Sequence, residues 1–168
     1  MKKLFLIILA IFLFPTLCLS AEVISSHKTS RGELIVQSDN RTFDIIKGIY
    51  ELQGNVHVQL PIRKKNITIK GDRTTVHIYQ QEVHCEGNIK LIYNDLNFTC
   101  DAVDVYHENK TAYVRGNIIF DHNGTVITAD KGEYNWKTKL ATFSGNVIVN
   151  GVPKNNSVTY HVIKKMFI

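Results

Sequence analysis

Aspartate, histidine and cysteine are the residues of this chain that could do chemistry, and their spacing decides which chemistry. Four aspartates follow a small residue: Ser38-Asp39, Gly71-Asp72, Cys100-Asp101 and Ala129-Asp130. General acid–base catalysis needs two carboxylates that converge on one point in different environments. Even repetition does the opposite: it spreads equivalent carboxylates along the molecule. The aspartates therefore read as bend formers, since a short carboxylate bonds nearby backbone amides and tolerates awkward angles. The seven histidines (27, 57, 77, 84, 107, 122 and 161) form no i, i+2 pair, and the Cys/His spacings of a zinc site are absent. The sequence thus points to a non-enzyme with no cofactor and no metal.

Cys85 and Cys100 admit two readings. In an oxidising compartment a bridge would close a loop of about 15 residues and contribute about 3 kcal/mol by chain entropy. The preferred reading is two buried thiols that act as small apolar residues.

Compartment is suggested by the first twenty residues. Lys2 and Lys3 precede the unbroken apolar run Leu4–Phe14, and Cys18 and Ser20 supply small residues at −3 and −1 of a cleavage site. Eleven apolar residues fall short of the roughly 20 that span a bilayer as a helix. Leu17 is bulky for a lipoprotein signal ahead of Cys18. We expect residues 1–20 to be a signal peptide and 21–168 a single exported domain. Loss of Lys2 and Lys3 takes the formal charge from +5 to +3, suited to a phosphorylated or acidic partner. Basic and aromatic residues do not gather into a nucleic-acid face.

The elements that carry the aspartates repeat. Gly-Asn before a β-branched residue occurs at Gly54, Gly87, Gly116 and Gly145, and each glycine lies 15 residues after one of the aspartates. The period is about 29 residues, with one insertion around Pro61–Lys65. Apolar residues alternate around the markers: Leu34/Val36, Ile67/Ile69, Leu96/Phe98 and Ile127 before the aspartates. Leu52/Val56/Val58, Cys85/Ile89/Leu91, Val114/Ile118/Phe120 and Phe143/Val147/Val149 do so about the glycines. His57, Gln59, Thr68, Lys70, Lys90 and Asn97 take the opposite parity. A period of two means strands with one buried face. Turns fall midway, at Lys47-Gly48, Gln80-Gln81, Glu108–Lys110, Lys137–Lys139, Asn94-Asp95 and Asn123-Gly124.

Each repeat is therefore two long antiparallel strands with a marker inside each. Glycine within a strand marks a bulge or bend. Recurrent bends let a strand begin in one sheet and end in another. The expected fold is all-β: an elongated two-sheet sandwich or open jelly roll of about four repeats, apolar faces turned together and both ends open.

Leu34-Ile-Val-Gln-Ser-Asp39, Leu52-Gln-Gly-Asn-Val-His-Val58 and Ile67-Thr-Ile-Lys-Gly-Asp72 resemble the periplasmic lipopolysaccharide-transport bridge family, also described as the organic-solvent-tolerance N-terminal domain. The resemblance covers most of residues 21–168 and is strongest from Leu34 to Val76. It implies a periplasmic jelly roll whose interior shelters lipid A acyl chains. It also implies molecules joined end to end through edge strands, linking inner- and outer-membrane components of the transport system. The candidate lipid contacts are Val36, Val56, Val58, Ile69, Ile89, Leu91, Phe98, Ile118, Phe120, Ile127, Val147 and Val149. The candidate edges are Glu33–Ser38 and Ser157–Ile163. The sequence departs from the family pattern at Asn155-Asn156, where another Gly-Asp is expected. Two other readings share these features: an inner-membrane-anchored component of the same fold, and a structural β-repeat protein with no lipid.

Overall fold

The structure, a computed structural model, describes residues 23–29, 32–62 and 65–168. The leader and Arg63-Lys64 lie outside the described residues. Fourteen strands form one continuous antiparallel sheet. They are β1 (Val23–Thr29), β2 (Gly32–Ser38), β3 (Asn40–Asp44), β4 (Ile49–Ile62), β5 (Lys65–His77), β6 (Glu82–Tyr93) and β7 (Leu96–Tyr106). Then follow β8 (Thr111–His122), β9 (Thr125–Asn135), β10 (Leu140–Ser144), β11 (Ile148–Val149), β12 (Val152–Pro153), β13 (Val158–His161) and β14 (Met166–Phe167). Among the described residues no helix occurs.

Two turn families set the register. Four-residue loops close β3–β4, β5–β6, β7–β8, β9–β10 and β13–β14. The last loop residue is left-handed each time: Gly48, Gln81, Lys110, Lys139 and Lys165. Two-residue loops close the opposite end at Asn94-Asp95, Asn123-Gly124 and Asn150-Gly151. Their asparagines have φ of 57°, 54° and 49°, the positive angle that a tight hairpin turn demands. The third of these turns lies beyond the two expected from sequence.

The Gly-Asn pairs are the corners. Both residues are left-handed at each site, Gly54/Asn55 at 77° and 45° being representative. Across the next strand two residues oppose one: Gln53 pairs Arg73 and Val56 pairs Gly71, so Gly54 and Asn55 face Asp72 alone. The same count recurs for Gly87-Asn88 against Asp101 and Gly116-Asn117 against Asp130. Such two-against-one bulges bend and twist a strand. Aligned across the sheet, they fold it along one seam into two facing sheets. The first holds β1, β2, the parts of β4–β9 on the Asn-turn side of the seam, β11 and β12. The second holds β3, the remaining parts of β4–β9, β10, β13 and β14. Rings on opposite sides of the seam meet, Phe120 of β8 lying 5.2 Å from Phe143 of β10 and 5.4 Å from Tyr160 of β13. The expected open two-sheet jelly roll is the observed fold.

The expected edges need correction. Glu33–Ser38 is not an edge, because β1 pairs with β2 along its whole length, from Val23–Ser38 to Thr29–Gly32. Ser157–Ile163 is covered in part, β14 pairing with Tyr160 and His161 of β13. At Asn155-Asn156 the ladder is interrupted between Pro153 and Val158.

Candidate functional site

Every repeated aspartate performs the same local task. Oδ2 of Asp39, Asp72, Asp101 and Asp130 accepts a hydrogen bond from Nδ2 of Asn55, Asn88, Asn117 and Asn146 respectively, at 2.8–2.9 Å. Each carboxylate thereby lies over the glycine 15 residues along. A Cβ on Gly54, Gly87, Gly116 or Gly145 would stand 2.2–2.8 Å from that oxygen. The glycine is required twice, by its φ and by the carboxylate above it. These exposed aspartates hold the corners.

The small residue before each aspartate has its own reason. Ser38, Cys100 and Ala129 are 1%, 3% and 6% exposed, facing inward beside the corner. The two-against-one count also shifts the alternation. Inward residues on a glycine strand lie four apart across the corner (Leu52, Val56), but three apart on an aspartate strand (Gly71, Thr74). Beyond the aspartates the inward wall of the second sheet is thus Val76, Val103, Val105 and Tyr134, residues that unbroken alternation misses. The shift is read from the pairing: the glycine strand carries one residue more than its partner at these corners.

The twelve candidate lipid contacts fall into two cross-strand rows on the first sheet. Nearer the seam run Val56, Ile89, Ile118 and Val147, all buried. Further out runs a continuous row in register: Val36, Val58, Ile69, Leu91, Phe98, Phe120, Ile127 and Val149. Packing divides this row. Val36 is buried with Tyr50, Leu52, Val56, Val76 and Val83 at the N-terminal end. Phe120, Ile127 and Val149 are buried at the other end with Phe143, Ala141 and Tyr160. Val58, Ile69, Leu91 and Phe98 between them are half-buried, and Ile69 and Leu91 belong to neither cluster. The middle of the first sheet thus presents a half-buried apolar strip, of which Ile69 and Leu91 lie outside both buried clusters, while Lys70, Lys90 and Asn97 of opposite parity are exposed.

Cys85 and Cys100 both face the interior as free thiols. Burial, with the neighbouring Asp101 and Cys85, pushes Cys100 up to about 12, and burial also raises Cys85, whose Sγ accepts a 3.4 Å hydrogen bond from Thr74. Neither is set up as a nucleophile. A polar network lies on the outer face of the second sheet: Asp104 accepts from Arg115 at 2.6 and 3.1 Å and meets His84 Nδ1 at 2.8 Å. Despite its burial, these partners hold the Asp104 carboxyl below the usual range. Among the described residues no three His, Cys, Asp or Glu side chains gather as a metal site.

The architecture is thus an open antiparallel jelly roll whose first sheet carries a continuous cross-strand row of apolar residues. The fold is LptA-like. It superposes on the crystal structure of LptH, the LptA-homologous periplasmic component of the conserved lipopolysaccharide transport device of Pseudomonas aeruginosa, with a TM-score of 0.50 and 15% identity over 70% of this chain and 80% of that one. No family model and no curated protein matches by sequence.

Proposed function

We propose that this protein is a periplasmic lipopolysaccharide carrier that links the inner and outer membranes. The observation that carries the reading is the half-buried row Val58–Ile69–Leu91–Phe98, an apolar strip inside a fold shared with a lipopolysaccharide-transport component. Burying apolar surface on a ligand is favourable by roughly 25 cal/mol per Å², so acyl chains laid along this strip gain what the protein's own core leaves unfilled. Half-buried Val103 and Val105 of the second sheet pack against the two buried clusters that flank the strip. The leader at residues 1–20 supports export and cleavage after Ser20.

Docking to other components of the transport system, and to further copies of this chain, falls to the free edges. Among the described residues these are β1 and β3 at the N-terminal end and β12 and β14 at the C-terminal end. The second sheet is the favoured route. Phe43 of β3 and Ile45 and Ile46 of the loop after it are 41%, 70% and 91% exposed, and at the other end Ile163, Met166 and Ile168 are exposed. Two apolar patches flanking unpaired strand edges suit heterologous strand addition.

The test is photo-crosslinking to lipid A in the exported protein. Reactive side chains at Leu91 and Phe98 should capture it, whereas those at Lys90 and Asn97 should not. Equal capture at both parities would refute the cleft as the lipid site.

A further inference from the structure

One cross-sheet contact spans the C-terminal end of the cleft. Asp95 occupies the tip of the β6–β7 hairpin, at the rim of the first sheet. Lys165 closes the 162–165 loop between β13 and β14, at the rim of the second. Their side chains are hydrogen-bonded across the mouth, although 70 residues apart in sequence. Nε2 of His122 stands 3.6 Å from the other oxygen of Asp95. Behind this pair the interior is filled: Tyr160 is 1% exposed and packs edge-on against Phe120 (5.4 Å), Phe167 (5.3 Å) and His122 (5.9 Å).

Two features mark the closure as easily reversed. First, His122 Nδ1 and the Tyr160 hydroxyl are buried without a hydrogen-bond partner among the described residues. Opening would hydrate both, removing a penalty that the closed arrangement carries. Secondly, the segment bearing Lys165 and Tyr160 is a short terminal one: β13 pairs with β10 from Leu140–His161 to Phe143–Val158, β14 pairs only with Tyr160 and His161, and beyond the ladder Val162 and Ile168 donate to Lys139 and Thr159 carbonyls. A plug built from aromatic rings would also offer apolar surface to whatever displaces it.

We propose that Asp95 and Lys165 form a clasp, with Tyr160 as its plug, that shuts the C-terminal part of the cleft and must open for a lipid to pass that end. This rests on the cleft being the lipid site, and it adds a control point: loading at Ile69 and Leu91 needs no opening, whereas movement towards β13 does. Lys165 and Tyr160 are here gating residues, not lipid-binding ones.

The test separates the clasp from the lipid reading. Nitroxides carried on unnatural side chains at Asn94 and Lys164, both exposed and both on the rims, report the mouth by pulsed electron resonance without any lipid. The expected result is a narrow distance distribution in the parent protein, a broad and longer one in Lys165→Glu, and recovery in Asp95→Lys/Lys165→Glu. An unchanged distribution in Lys165→Glu overturns the clasp. In parallel, photo-crosslinkers at Ile69 and at Leu96, which follows Asp95 and pairs with His122, are exposed to lipid A. Capture at Leu96 should rise several-fold in Lys165→Glu and return in the double variant, with capture at Ile69 constant. Equal capture at Leu96 in all three forms also overturns the proposal. A mouth that opens in Lys165→Glu with no capture at either position upholds the clasp and removes lipid A as the ligand.

Discussion

Gly116→Ala isolates the device that folds the sheet. Gly116 sits at φ +73°, and an added Cβ would stand 2.2 Å from Oδ2 of Asp101. Gly124 sits at φ +79° in an Asn-Gly turn with nothing within 4 Å of the same atom. Both substitutions bear the left-handed penalty of about 1 kcal/mol. At Gly116 the carboxylate must also move away, breaking the 2.8 Å bond from Asn117, a charge-assisted bond of about 1.5 kcal/mol. The expected losses are thus about 2.5 kcal/mol for Gly116→Ala and about 1 kcal/mol for Gly124→Ala. Urea unfolding with m of about 2 kcal/mol per molar should show midpoints lowered by about 1.2 M and about 0.5 M. In an Asp101→Ala background the clash is absent, so Gly116→Ala should there cost only about 1 kcal/mol, a coupling of about 1.5 kcal/mol. Equal losses at the two glycines, or strict additivity with Asp101→Ala, would refute the account of the corner.

Other expectations are simpler to check. Leu52, fully buried, should lose about 3 kcal/mol on change to Ala, whereas half-buried Leu91 should lose about 1 kcal/mol or less, because it lies outside both buried clusters; equal losses would mean that the cleft is filled. Burial, and to a smaller extent Lys165, hold His122 below its ordinary value of 6.5 against the opposing pull of Asp95 and Asp121. The folded chain thus binds this proton less readily than the unfolded one, so stability is full above about pH 6.5 and falls as pH drops below it. His57 acts in the same sense, so the readout is the difference: His122→Phe should flatten the slope of stability between about pH 7 and pH 5, and an unaltered slope would contradict the assignment. Iodoacetamide at about pH 8 should leave Cys85 and Cys100 unmodified in the folded protein and alkylate both in urea, as mass spectrometry would record.

The residues alone determined the repeat, the strands and the corners. Period-two alternation about Gly54, Gly87, Gly116 and Gly145 is a local pattern that strand geometry maps directly onto one buried face. The constant 15-residue offset from each aspartate already encoded a contact, since two residues so regularly spaced in a hairpin repeat lie side by side. What that contact was required coordinates. The carboxylate over the glycine, the small residue facing the fold corner and the shifted alternation after each aspartate all follow from a two-against-one register, which belongs to strand pairs and not to single strands. The edges were beyond reach for a similar reason, because Glu33–Ser38 alternates like an edge strand and only pairing with Val23–Thr29 takes it out of that role. Most dependent on tertiary structure was the division of one apolar row into core and cleft. Leu91 and Ile127 have the same chemistry and the same parity. They differ in what the opposite sheet brings against them: Phe143 and Tyr160 fill the space at one end, where a contact between Asp95 and Lys165 also bridges the two sheets.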